Sequence, residues 1–197
     1  MNEVRIISGM YRGRKLRFDA VADLRPTLGR VRETLFSWLD GDIAKARVLD
    51  LYAGTGALAF EALSRGAASA TLIESNPTAV RSLRRNAALL DLPPDRCRIQ
   101  QLSVERYLRR AVHGRFDLIF VDPPFALAGA GAPALLRRLN RDWLAEQGLI
   151  YLELPRHHAE EVRDALASAG VVVHRDKVFG DCRVLLLRAA AGASPPG

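Results

Sequence analysis

The run Asp122-Pro123-Pro124-Phe125 places an acid, two rigid residues and an aromatic ring directly after Phe116-Asp117-Leu118-Ile119-Phe120-Val121. Leu118 to Val121 are consecutive apolar residues, so Phe116–Val121 reads as a buried strand with Asp122 emerging at its carboxyl end. The two prolines hold the following backbone extended. An exocyclic amine on a nucleobase is a poor nucleophile, because its lone pair is delocalised into the ring. Two acceptors that take its N–H hydrogens turn the lone pair toward an electrophile and disperse the charge that builds on nitrogen. Asp122 and the Pro123 carbonyl are candidates for those acceptors, held in place by the stiff backbone, and Asp122 can then receive a proton. Phe125 offers a ring face to an unstacked base. The electrophile that suits this chemistry is a methyl group on a sulfonium.

A second constellation lies upstream. Val48-Leu49-Asp50-Leu51-Tyr52-Ala53-Gly54-Thr55-Gly56 reads as a buried strand carrying an acid near its end, followed by a turn with two glycines and then a helix. The third glycine of a dinucleotide fingerprint is missing, since Ala59 and Phe60 follow. Asp50 would repel a diphosphate but suits the ammonium of an amino-acid moiety such as the methionine part of S-adenosylmethionine. Glu74, followed by Ser75-Asn76-Pro77, ends the next strand, where a carboxylate grips ribose hydroxyls in folds of this type. Gly54, Gly56 and Glu74, taken jointly at this spacing, point to a nucleoside cofactor, and Ser75 beside Glu74 is a further candidate contact.

These residues need an alternating framework to hold them. Strands are expected at Arg47–Leu51, Ala70–Glu74, Cys97–Gln101, Phe116–Val121, Leu149–Glu153, Val171–His174 and Arg183–Leu187. Helices are expected at Ala57–Arg65, Pro77–Leu90, Val104–Ala111, Pro133–Leu139 and Ala159–Ala167. The alternation predicts an α/β, Rossmann-like fold: a seven-stranded, mostly parallel sheet with helices on both faces. Its last strand is antiparallel, because Gly180-Asp181 turns a hairpin. Ahead of it, Val4–Gly9 and Arg14–Phe18 form a small β-hairpin, and Thr27 caps a helix through Val31, Leu35, Phe36 and Leu39. The expected division is a basic extension over 1–40, a catalytic domain over 41–188 and a disordered tail over 189–197. The small residues of 126–132 predict a mobile loop that closes over the substrate.

The 197 residues include 29 Lys and Arg against 22 Asp and Glu, a net charge of +7, with 49% apolar and 26% charged residues. Such a composition excludes a disordered chain. Cys97 and Cys182 stand far apart, and the histidines lack partners at ligand spacing, so neither a disulfide framework nor a zinc site is expected. No apolar stretch is long enough for a membrane span, and no export signal is recognisable, which predicts a cytoplasmic protein; a monomer is expected. Residues 1–32 carry +5 of the charge, through Arg5, Arg12, Arg14, Lys15, Arg17, Arg25, Arg30 and Arg32. Concentrated arginine of this kind suits a polyanion.

The tetrapeptide resembles the [DNS]-P-P-[FYW] signature of class I S-adenosylmethionine-dependent methyltransferases acting on amino nitrogens. Arg5-Ile6-Ile7-Ser8-Gly9, Arg12-Gly13-Arg14-Lys15-Leu16, Arg25-Pro26-Thr27, Arg30–Phe36, Asp50–Leu58 and Glu61-Ala62-Leu63-Ser64-Arg65-Gly66-Ala67 extend the likeness. Together they resemble the bacterial RsmD family over nearly the whole chain to Arg188. The resemblance implies methylation of the N2 amine of one guanine in 16S rRNA, with the small ribosomal subunit or its assembly intermediate as partner and S-adenosylmethionine as cofactor. It implies that Asp50, Ala53, Gly54 and Gly56 line the methionine side, that Glu74 holds the ribose, and that Asp122, Pro123 and Phe125 handle the base. Ser103 aligns where relatives often carry Asp or Asn near the adenine. Arg5, Arg12, Arg14, Lys15 and Arg25 become an RNA-contacting arm, with Arg30 and Arg32 flanking the base pocket. The tetrapeptide alone leaves open methylation of DNA adenine or protein glutamine, and the fold alone leaves open a non-catalytic ribosome-assembly factor.

Overall fold

The computed structural model describes residues 2–19, 29–112, 114–123, 131–156 and 166–190. Two compact units divide the chain, Met1–Ala111 and Val112–Gly197. In the first, β1 (Asn2–Arg5) and β2 (Lys15–Phe18) pair antiparallel as the expected hairpin. Then come α1 (Gly29–Trp38), β3 (Arg47–Leu51), α2 (Ala57–Ser64), β4 (Ser69–Glu74), α3 (Pro77–Leu89), β5 (Cys97–Gln101) and α4 (Val104–Leu108). The second unit holds β6 (Phe116–Val121), α5 (Ala132–Arg138), a π-helical turn at Leu139–Trp143, β7 (Leu144–Pro155), β8 (Val171–Phe179) and β9 (Cys182–Ala189). Strands β3 to β9 form one seven-stranded sheet in the order β5-β4-β3-β6-β7-β9-β8.

Parallel pairing joins β3 to β4, β4 to β5, and β6 to β7. β9 lies antiparallel between β7 and β8, as the hairpin at Gly180-Asp181 predicts. β3 is buried over Val48–Leu51, Asp50 included, as in a strand covered on both faces. α3 begins where Asn76 accepts hydrogen bonds from the amides of Thr78 (2.8 Å) and Ala79 (3.2 Å), with Pro77 as its first residue.

Several boundaries differ from expectation: β1 spans Asn2–Arg5 rather than Val4–Gly9, and β9 runs Cys182–Ala189 rather than Arg183–Leu187. β7 starts at Leu144 rather than 149, because its register jumps from Phe116↔Leu144 to Leu118↔Leu149, and a bulge carries Glu146-Gln147-Gly148 within a continuing strand. Gly148 is needed there, since a Cβ would lie 2.7 Å from the Leu144 side chain. β8 continues past His174 to Phe179, because an edge strand tolerates outward Arg175, Asp176 and Lys177. α4 ends at Leu108, short of Ala111. The expected helix over 159–167 falls largely, the loop over 126–132 mostly, and the tail after 190 wholly, outside the described residues.

The hairpin is fastened to the first unit by buried polar groups. Glu61 of α2, fully buried, accepts from the amides of Ile7 (2.7 Å) and Ser8 (3.0 Å) and from Arg65 Nε (2.8 Å). The Ser64 hydroxyl donates to the Ser8 carbonyl (2.6 Å) and accepts from the Tyr11 amide (2.9 Å), while its carbonyl accepts from the Met10 amide (2.7 Å). Gly9, at φ 81°, lies so close that a Cβ would stand 1.9 Å from the Ser64 carbonyl oxygen. Asn86 of α3 exchanges two hydrogen bonds of 3.0 Å with the backbone of Arg17.

Candidate active site

In the first unit the β3–α2 loop takes left-handed backbone at alternate residues, Tyr52 (φ 62°), Gly54 (φ 52°) and Gly56 (φ 75°). Tyr52 bears the steric cost that glycine avoids, on the order of 1–2 kcal/mol. The loop is held by Ala53 N–H donating to the Ile73 carbonyl (3.0 Å) and Gly56 N–H to the Ala53 carbonyl (2.7 Å). Gly56 allows no side chain, because a Cβ would meet the Phe60 ring at 2.5 Å and Leu83 at 2.6 Å.

Glu74 closes the loop against the next strand. Its Oε2 accepts from the Gly54 amide (2.9 Å) and its Oε1 from the Asn76 amide (2.7 Å). Each oxygen keeps a further lone pair, so the half-buried carboxylate is an oriented acceptor for hydroxyl groups. Asp50 is buried at 2% exposure, and its Oδ2 has no hydrogen-bond partner. Burial pushes its pKa up to about 8, with the negative charge of Glu74 adding to the rise and a hydrogen bond from the Ala59 backbone opposing it. A buried acceptor without a donor is costly. The orphaned oxygen and the pinned Glu74 fit a group with an ammonium and ribose hydroxyls.

Ser75 is exposed at the end of β4. Ser103 is also exposed and accepts from the Arg106 amide (3.3 Å), so its hydroxyl caps α4.

In the second unit Asp122 follows β6 half-buried, and Pro123 is buried behind it. Pro124 and Phe125 lie outside the described residues. On β7 the buried Tyr151 packs edge-on to Phe120 at 6.1 Å between centroids, and its hydroxyl donates to Glu153 Oε2 (2.9 Å). Cys182 Sγ donates to Glu153 Oε1 (3.1 Å). Burial first, then the charge of Glu153, pushes both the Tyr151 hydroxyl and the Cys182 thiol upward, and Asp122 adds to each. Tyr151, Glu153 and Cys182 escaped the sequence-based reading. The signal was the polar pair inside Tyr151-Leu152-Glu153-Leu154, which alternation assigns to one face of the strand.

The basic residues divide. Arg5, Arg12, Arg14, Lys15 and Arg30 are exposed. Arg14 donates to the Leu89 carbonyl at the end of α3 (3.1 Å), and Lys15 pairs with Glu3 at 2.8 Å. Arg32 differs from the others: it is 5% exposed and donates from Nη1 to the Arg5 carbonyl (3.1 Å), so it is buried between α1 and the hairpin. Arg25 lies outside the described residues. Among the described residues, no helix is long and apolar enough to cross a membrane.

The family described as Conserved hypothetical protein 95 matches residues 4–188. Ribosomal RNA small subunit methyltransferase D of Escherichia coli (strain K12) is 40% identical over 195 residues, which cover 98% of this chain and 93% of that protein. The solved structure of yhhF from Escherichia coli shares 36% identity at a TM-score of 0.82, covering 96% of this chain and 99% of that one. At 20% identity and a TM-score of 0.71, a ribosomal protein L11 methylase from Lactobacillus delbrueckii subsp. bulgaricus shows the fold alone, over 89% of this chain and 85% of that one.

Proposed function

We propose, for a chain that belongs to the RsmD family of methyltransferases, that it transfers a methyl group from S-adenosylmethionine to the N2 amine of a guanine in small-subunit rRNA. The observation that carries this reading is Asp122, which leaves the buried strand β6 half-exposed with Pro123 fixed behind it. S-adenosylmethionine, when bound, supplies an electrophilic methyl on sulfonium. Glu74 would accept hydrogen bonds from its ribose hydroxyls while the Gly54 and Asn76 amides hold the carboxylate in place. The Asp50 Oδ2, which has no donor of its own, would gain one from the ammonium. Gly54, Gly56 and Ala53 keep the loop free of side chains that would block close approach.

Asp122 and the Pro123 carbonyl would each accept one hydrogen of the N2 amine, which frees the lone pair from the ring. Asp122 then takes the proton that the nitrogen sheds on becoming a methylamine. Phe125, assigned from sequence, would stack on the extruded base. The exposed Arg5, Arg12, Arg14, Lys15 and Arg30 would neutralise phosphates.

The test is transfer of labelled methyl to small-subunit RNA and to its assembly particles, with DNA and protein as the competing acceptors. Asp122→Ala is expected to cut turnover by about 10²-fold or more while calorimetry finds cofactor affinity nearly intact. Label on DNA or protein alone, or full turnover by Asp122→Ala, would overturn the reading.

A further inference from the structure

We propose that Glu153 reads the substrate base, accepting the N1–H of the guanine whose N2 amine faces Asp122. The inference rests on the guanine reading above and names the residue that would enforce it. β6 and β7 run parallel, with Val121, the last residue of β6, opposite Leu152, so Asp122, the first residue beyond β6, and Glu153 of β7 follow directly on the last paired positions. Adjacent strands lie about 5 Å apart, and opposed positions share a face of the sheet. The Watson–Crick edge of guanine offers N1–H and N2–H side by side, and adenine offers no donor at N1. Two neighbouring carboxylates therefore match guanine and mismatch adenine.

Glu153 is built to accept. Tyr151 holds one oxygen at 2.9 Å and Cys182 holds the other at 3.1 Å, which fixes the carboxylate plane. Each oxygen retains a lone pair, and the residue is partly exposed rather than sealed in the core. Both donors keep their protons, because burial and the adjacent charge of Glu153 oppose ionisation of the hydroxyl and the thiol. Tyr151 acts through Glu153 and is a positioning residue.

The experiment uses the full chain and an RNA that carries either guanine or 2-aminopurine at the position the wild type methylates. The analogue keeps the N2 amine but has a bare acceptor at N1. The wild type is expected to prefer guanine by about 10²-fold or more in kcat/KM, as a site built to pair a substrate N–H rejects its absence. Glu153→Gln preserves size and can donate to the bare N1. It should lose about 10²-fold on guanine and bring the preference below about 10-fold, with cofactor affinity unchanged. Tyr151→Phe keeps the ring on Phe120, removes only the hydroxyl, and should narrow the preference in the same direction by a smaller factor. It decides the matter if the Gln variant does not fold. Equal losses on both bases, or no preference in the wild type, would overturn the role of Glu153 and leave guanine methylation standing. A wild type that methylates no guanine would overturn both.

Discussion

Asp50 shows what burial does to a single carboxyl. Its pKa is raised to about 8, chiefly by desolvation, whereas in the unfolded chain the group ionises near its ordinary value of about 3.9. Between those limits the folded protein binds the extra proton, so the contribution of Asp50 to stability is greatest at the acid end and falls as pH rises toward 8. Asp50→Asn removes the ionisation without changing the shape. In the absence of cofactor, the variant's unfolding free energy relative to the wild type, measured by urea denaturation, is expected to rise from about pH 5 to about pH 8, with a slope of at most about 1.4 kcal/mol per pH unit. A difference that stays flat across that range would mean that the carboxyl is ionised in its pocket. The same substitution removes the charge offered to an ammonium, so calorimetry should show weaker cofactor binding above the raised pKa.

At the scale of elements, α2 explains residues that a helical pattern alone misassigns. Glu61 and Ser64 look like solvent-facing polar positions, yet both are buried and fasten the hairpin. Gly9→Ala places a Cβ 1.9 Å from the Ser64 carbonyl oxygen at φ 81° and should cost about 3 kcal/mol or more. Gly13→Ala, at φ 82° with nothing within 4 Å, meets only the left-handed penalty of about 1 kcal/mol. Urea denaturation of the two variants separates steric clash from backbone conformation. Similar destabilisation of both would show that the hairpin yields to the side chain. The order of strands and helices was legible because short β-prone segments alternate with helical stretches, which implies parallel pairing. The start of β7 was not, since a bulge hides pairing behind Glu146-Gln147-Gly148. The position of Glu74 at the end of β4 was legible in the sequence, and the setting of Glu153 was hidden because only packing brings Tyr151 and Cys182 to it.

For the whole molecule, charge placement is the property to test. Residues 1–32 hold +5 of the net +7, and Arg12 and Arg14 lie exposed on the hairpin. Arg12→Glu combined with Arg14→Glu should weaken RNA binding and lower the slope of log affinity against log salt by about one for each phosphate left without its arginine. An unchanged slope in a titration across salt concentrations would place the RNA elsewhere. That basic segment and the glycine loop meet on one short rod: α2 runs from its cap, Gly56, to Ser64, whose backbone and hydroxyl grip Ser8, Met10 and Tyr11. Each residue of a helix turns it by about 100° and advances it about 1.5 Å. Inserting or deleting a single residue between these two points would swing Glu61 and Ser64 away from their amides while leaving β3 untouched. This stretch of the gene should therefore tolerate substitutions of matching size and no change of length.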